Sequence, residues 1–194
     1  MGTGDGTFAY RMAKTQPDTL VIGVDSNIEN LREISRKASL KPAKGGLGNV
    51  LFGQLPLEQA PGELIGLADS ISVILPWGTL LRAVALPETE SLQKLAALCK
   101  PRAKVTLLFG YGSQDQNIVQ SLGLPALGDT NCLGSLYSTL YRDAGFDVKF
   151  QNIPLEIVRD LPSSWAKKLA YSGKNRIFVK AEGRIARRTS EELC

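Results

Sequence analysis

Six short apolar runs alternate along this chain with amphipathic stretches, and that alternation constrains the fold more than any single motif. Residues 19–25, 49–52, 71–75, 104–109, 146–150 and 176–180 read as strands, several of them unbroken by polar residues and suited to a sheet covered on both faces. Between them, residues 7–15, 28–39, 88–99 and 133–144 repeat their apolar positions at helical spacing. Strands alternating with helices predict an α/β fold with a doubly wound, mostly parallel, Rossmann-like sheet. With 194 residues, 43% of them hydrophobic, the chain can bury one substantial core and reads as a single domain, 1–194. Connections rich in Gly and Pro at 40–49, 110–130 and 151–164 are expected to form extended loops over the edge where such sheets bind ligands.

Composition removes several classes of chemistry. No apolar run approaches the roughly 20 residues that span a bilayer and no leader opens the chain, so a soluble, cytoplasmic protein without a membrane partner is expected. The chain has no histidine, which removes Ser-His-Asp and Cys-His catalysis. Its three cysteines, Cys99, Cys132 and Cys194, are far apart, so reduced structural thiols are expected rather than disulfides or a zinc site, and no metal is implied.

The net charge of +4 is unevenly spread. From Trp165 to Cys194, eight basic residues against three acids give +5, and the other 164 residues carry −1. A second cluster, Arg36, Lys37, Lys41 and Lys44, lies in a stretch with no acid between Glu33 and Glu58. Each cluster alone fits a solvated face as well as a binding surface. Their coincidence with Trp165 points to a polyanion, specifically RNA.

The chain opens on Gly2-Thr3-Gly4-Asp5-Gly6, a loop that lets backbone approach a nucleotide-like ligand where a helix begins. A dinucleotide fingerprint wants its third glycine at position 7, which is Thr7, so the spacing leans to S-adenosylmethionine (SAM) rather than NAD. Asp25, ending the next strand, is placed to accept hydrogen bonds from ribose hydroxyls, or else to cap the helix at 28–39, a role that Ser26 or Asn27 could also fill. Tyr10 and Lys14 have the spacing of a short-chain dehydrogenase pair, but on the helix behind the glycine loop they read as an ordinary helix face. Trp77 in Leu-Pro-Trp-Gly and Trp165 in Ser-Ser-Trp-Ala-Lys-Lys offer two aromatic plates on which a planar base can stack. A tryptophan after a strand is also common as core or rim packing.

Gly2-Thr-Gly-Asp-Gly6, Ile22-Gly-Val-Asp25, Glu29-Asn-Leu31, Lys41-Pro-Ala-Lys-Gly-Gly-Leu-Gly-Asn49, residues 68–81 with Leu-Pro-Trp-Gly-Thr, Gly123-Leu-Pro125 and Ser164-Trp-Ala-Lys167 closely resemble the aminoglycoside-resistance 16S rRNA methyltransferases that modify N1 of a decoding-site adenine. The Leu-Pro-Trp-Gly-Thr and Lys-Pro-x-Lys-Gly-Gly segments are specific, whereas the opening glycines would suit many SAM enzymes.

The resemblance implies a class I SAM-dependent methyltransferase fold and a 30S subunit substrate, read here as engaged by a monomer through loops at about 40–49, 110–130 and 151–174. It implies that Gly2, Thr3, Gly4, Asp25, Leu57, Glu58, Leu75, Thr79 and Ser163 surround SAM. Trp77 and Trp165 would sandwich the flipped adenine, with Pro76 shaping the pocket and Glu58 near the SAM or the base. Arg36, Lys37, Lys41, Lys44, Lys168, Lys174 and Arg176 would position RNA phosphates. The family's first strand, ending in an acid ahead of the glycine loop, has no counterpart before Gly2, so either the true start lies upstream or this polypeptide lacks that core strand and a SAM contact. Leu122 and Lys168 replace basic residues found at those places in some members, Lys168 replacing an arginine and its bidentate geometry. Two other readings stay open: a SAM enzyme with another RNA or a small molecule as target, and a binding-only relative without turnover.

Overall fold

All six apolar runs form strands: β1 (Val21–Asp25), β2 (Val50–Gln54), β3 (Ala68–Ile74), β4 (Cys99–Gly112), β5 (Phe146–Ile153) and β6 (Arg176–Ile185). The computed structural model describes residues 1–127, 130–171 and 175–186. Its chain divides into two units, one of residues 1–56 and 155–174, the other of residues 57–154 and 175–194.

In the first unit β1 and β2 pair in parallel, Val21 opposite Val50 and Asp25 opposite Gln54. Helices α1 (Thr7–Thr15) and α2 (Arg32–Ala38) bury one face of that pair around Ala9, Tyr10, Ala13, Val21, Ala38 and Val50. Close approach is possible because Gly23 has no side chain: a Cβ there would lie 2.9 Å from the Cβ of Ala9 and 2.8 Å from the Phe52 ring. The opposite face carries Leu20, Ile22 and Leu51, all exposed, so the expected double cover is met on one side of this pair. Both helices lie on the same side of it. Asn49 secures the end of α1, its amide donating to the carbonyls of Ala13, Gln16 and Thr19 at 2.9–3.0 Å.

The second unit is built on a four-stranded sheet of order β3-β4-β6-β5. β3 runs parallel to β4, while β6 is antiparallel to both β4 and β5. The α/β class of the sequence reading stands, with a mixed sheet, because an alternating pattern reports that strands pair but not which way the last ones run. Val73, Leu107, Phe109, Phe146, Phe178 and Ala181 are sealed in its core.

Helices α3 (Gly78–Ala85), α4 (Thr89–Ala97), α5 (Gln116–Leu122) and α6 (Thr130–Asp143) belong to this second unit. In the first, α7 (Leu155–Arg159) packs against α8 (Ser164–Tyr171). The apolar periodicity had located α1, α4 and α6, and it merged a 3-10 turn at Ile28–Leu31 with α2. It marks none of α3, α5, α7 and α8 as a helix. These run for only five to eight residues, too few turns for a period to emerge.

The last carbonyls of α3 have no partner within the helix and are met from α6. The Tyr141 hydroxyl donates to the Val84 carbonyl at 2.7 Å and the Tyr137 hydroxyl to that of Ala85 at 2.5 Å, all buried. Tyr141→Phe keeps the ring and leaves a buried acceptor unmet, so it should lower unfolding free energy by about 1–3 kcal/mol in a urea titration. A loss within experimental error would mean that water reaches Val84.

Candidate active site

The glycine loop of the first unit is held from several sides. The Thr3 amide donates to the Val24 carbonyl at 2.9 Å, the Gly6 amide to the Thr3 carbonyl at 3.1 Å, and the Gly4 amide to Asp25 Oδ2 at 2.7 Å. Gly2, Gly4 and Gly6 all take the left-handed conformation. The loop has a packed inner side and an open outer one. A Cβ on Gly6 would strike Ile34 at 2.6 Å and Phe52 at 2.7 Å, whereas one on Gly4 would meet nothing within 4 Å. That open backbone, at the start of α1, fits the close approach of a cofactor such as SAM.

Asp25 accepts from Gly4 through Oδ2 and from the Asn27 amide through Oδ1 at 3.0 Å, and two oxygens with about four acceptor sites retain capacity for ribose hydroxyls. Of the three candidate caps for the following turn, Asn27 takes the role, its Oδ1 accepting from the Glu29 amide at 3.1 Å. Ser163 caps α8, its Oγ accepting from the Ala166 amide at 3.3 Å. Trp165, in the first turn of that helix, is half-buried, with Lys168 Nζ 5.3 Å from its ring centroid.

The same unit presents the basic cluster. Arg36 and Lys37 end α2, Lys41 and Lys44 flank a 3-10 turn at Pro42–Lys44, and all four are exposed. This turn is rigidly built. Gly46 has no room for a side chain, since a Cβ would fall 1.6 Å from the Leu40 carbonyl oxygen. The buried Tyr10 donates its hydroxyl to the Gly45 carbonyl at 2.6 Å, and Lys37 Nζ lies 4.7 Å from the Tyr10 ring centroid. Tyr10 is thus a support for the basic loop, a role that its spacing to Lys14 did not suggest.

In the second unit β3 ends at Ile74 and is followed by Leu75, a buried leucine at φ 51° whose amide donates to the Leu108 carbonyl at 2.7 Å. A left-handed leucine is a strained one. The turn buries Pro76 and leaves Trp77 40% exposed at the start of α3, with Gly78 also left-handed and Thr79 exposed. Leu57 is buried and Glu58 exposed on a 3-10 turn at Leu57–Gln59. Cys99 is buried, which pushes its thiol up to about 11 and keeps it protonated at neutral pH.

One residue is placed differently from its sequence reading. Arg176, read as a solvent-facing phosphate contact, has a side chain only 6% exposed, and its Nε and Nη2 donate to Asp115 at 2.9 and 2.6 Å. It enters this structure as half of a buried ion pair. Asp115 carried no signal in the sequence, because its partner lies 61 positions away. Lys174, Arg187, Arg188 and Cys194 lie outside the described residues, as does the side chain of Cys132.

A glycine loop leading into a helix, a carboxylate ending the next strand and an α/β sheet define a class I SAM-dependent methyltransferase. The model of the NpmA family, 16S rRNA (adenine(1408)-N(1))-methyltransferase, matches residues 1–184. The enzyme of that name from Escherichia coli is 38% identical over 96% of this chain and 86% of its own length, and one from Streptoalloteichus hindustanus is 41% identical over 93% and 83%. Among solved structures, the 16S rRNA methyltransferase KamB aligns with a TM-score of 0.85 at 29% identity, covering 96% of this chain and 86% of its own. A tryptophan-to-alanine variant of the Catenulisporales acidiphilia 16S rRNA (adenine(1408)-N(1))-methyltransferase, determined with cosubstrate SAM, aligns at 0.82 and 32% identity over 95% and 83%. The chain belongs to the 16S rRNA (adenine(1408)-N(1))-methyltransferase family.

Burial of Asp115 pushes its carboxyl up, but the hydrogen bonds from Arg176 and Gly112 and the guanidinium charge outweigh it and hold the carboxyl below its ordinary 3.8. Its contribution to stability is therefore present above that value and is lost as pH falls through the lower, folded-state value. Asp115→Ala should cost about 3–5 kcal/mol at neutral pH by removing the carboxylate against which the Arg176 guanidinium is buried. The gap from the parent protein, followed by urea titration, should narrow as the solution is acidified below pH 3.8. A gap that stays constant would separate the pair from acid stability.

Proposed function

We propose that this chain transfers the methyl group of SAM to N1 of the decoding-site adenine of 16S rRNA in the 30S subunit, and that the product confers aminoglycoside resistance. It acts as a cytoplasmic monomer in which both units serve one methyltransferase domain. The observation that carries this reading is the Leu75-Pro76-Trp77-Gly78 turn. Backbone strain there supports a functional role, because a left-handed leucine costs about 1–3 kcal/mol and brings an indole to the surface rather than into the core.

Bound SAM supplies an electrophilic methyl group on a sulfonium. Gly2, Thr3, Gly4 and Asp25, with Leu57, Leu75, Thr79 and Ser163, hold the cofactor, and Glu58 lies near it. Trp77 and Trp165 each supply a stacking face to the everted adenine, with Pro76 behind the first. Adenine N1 is an unprotonated lone pair near neutral pH, so no general base is needed, which suits a chain without histidine. Extruding the base costs a few kcal/mol. Stacking returns about 1–3 kcal/mol per aromatic face, so two indoles roughly offset the flip. Their electron-rich faces stay favourable as the ring becomes cationic. Arg36, Lys37, Lys41, Lys44 and Lys168 bind phosphates, which places RNA without reading its sequence.

Reverse transcription of 16S rRNA from cells expressing the chain should stop at the decoding-site adenine, since N1 methylation blocks the pairing edge. Labelling of free metabolites without that stop would favour a small-molecule target, and no calorimetric binding of SAM would leave a binding-only protein. Trp77→Ala and Trp165→Ala should each lower kcat/KM on 30S subunits about 5- to 150-fold, with phenylalanine retaining most of the activity. Unchanged kcat/KM would remove the stacking role. Joint Lys41→Glu and Lys44→Glu replacement should weaken 30S binding and flatten its salt dependence by about one logarithmic unit for each phosphate no longer neutralised. Equal binding at moderate salt would take the loop out of the RNA interface.

A further inference from the structure

Asp5 is the one acid of the glycine loop, and its two oxygens face different partners. Oδ1 accepts from the Thr7 amide at 3.0 Å at the start of α1. Oδ2 accepts the hydroxyl proton of Ser164, 159 residues further along the chain and the first residue of α8. Ser164 is not needed to cap its own helix, because the Ser163 hydroxyl already does so. Its side chain is committed instead to the loop. Both helix N-termini carry unpaired amides and partial positive charge, which favours a carboxylate beside them. The next residue after Ser164 is Trp165, so the hydrogen bond sits one position from an indole that Lys168 approaches from its own helix.

We infer that the Asp5–Ser164 hydrogen bond is a positioning contact that ties the cofactor loop to the helix bearing Trp165, so that filling the loop orients the indole for the target base. The inference rests on the reading of Gly2–Gly6 as the SAM loop and Trp165 as a stacking residue. Neither Asp5 nor Ser164 touches the reacting atoms. Both act through Trp165. The link makes the glycine loop and α8 interdependent: a change in loop geometry on filling reaches Trp165 through Ser164.

Ser164→Ala removes the link and leaves both helix caps intact. Its kcat on 30S subunits should fall roughly three- to tenfold, the size expected of one hydrogen bond, with the KM for 30S and calorimetric SAM affinity unchanged. Ser164→Thr should restore the parent rate. Asp5→Asn should also retain it, since its amide oxygen can accept from Thr7 while its NH2 donates to the Ser164 hydroxyl. Asp5→Ala should match Ser164→Ala in rate, and the double variant should lose no more than either single one. A second readout does not depend on methylation. In a Trp77→Phe background, Trp165 is the sole indole, and SAM should change its quenching by acrylamide in the otherwise unaltered chain but not with Ser164→Ala.

A Ser164→Ala protein with parental kcat and a parental quenching response overturns the inference. A rate loss that Ser164→Thr does not rescue, or one accompanied by an equal loss of SAM affinity, also overturns it. Failure of the proposed activity is separate: the unmodified chain would then leave 30S unmethylated while the quenching comparison still decides whether loop and helix are linked.

Discussion

The first unit depends on the ring of Phe52 lying against two positions that have no side chain. Gly6 and Gly23 both approach that ring so closely that any Cβ would fall within about 3 Å of it. Their bare backbone lets α1 rest directly on β1, and that packing orients much of the functional loop structure. The glycine loop enters α1 at Thr7, and Tyr10, one turn on, reaches across to hold the Gly45 carbonyl. The glycine loop that enters α1, and a basic loop that α1 holds through a hydrogen bond spanning 35 residues of sequence, are therefore positioned by one helix packed on one strand. Close packing transmits such placement because interiors deform little.

The second unit solves a different problem. Its long central strand β4 pairs on one side with β3 and on the other with β6, which gives β3 a firm platform from which to end abruptly just before Leu75. The left-handed leucine, its amide anchored to Leu108, turns the chain so that a proline is buried and a tryptophan emerges. Strain of this kind persists only where the surroundings over-determine it. Here the sheet supplies that constraint. The buried pair of Asp115 and Arg176 and the two tyrosines of α6 complete the framework, each meeting polar groups that the apolar core could not leave unpaired.

The chain lacks imidazole, and the Cys99 thiol is held protonated by burial. Methyl transfer to a ring nitrogen that already carries a lone pair asks instead for alignment, which in the proposed function comes from fixed backbone, stacking faces and positive charge. Positioning hydrogen bonds such as the one between Asp5 and Ser164 are where such a catalyst can gain or lose rate without touching the reacting atoms.

The amino-acid sequence by itself determined the six strands, the α/β class, the glycine loop ahead of a helix, the exclusion of imidazole chemistry, and the two tryptophan motifs that led to the family. These are local signals: periodicity, turn residues and spacing act within a dozen positions. Tertiary structure alone decided that β6 runs antiparallel, that Arg176 is held by Asp115 rather than solvated, that Asn27 rather than Asp25 caps the turn after β1, that Tyr10 supports the basic loop and that Asp5 reaches Ser164. Most of these join residues between 35 and 159 positions apart. Such partners are chosen by packing and by the need to satisfy buried polar groups, and no pattern along the chain encodes which distant side chain will arrive.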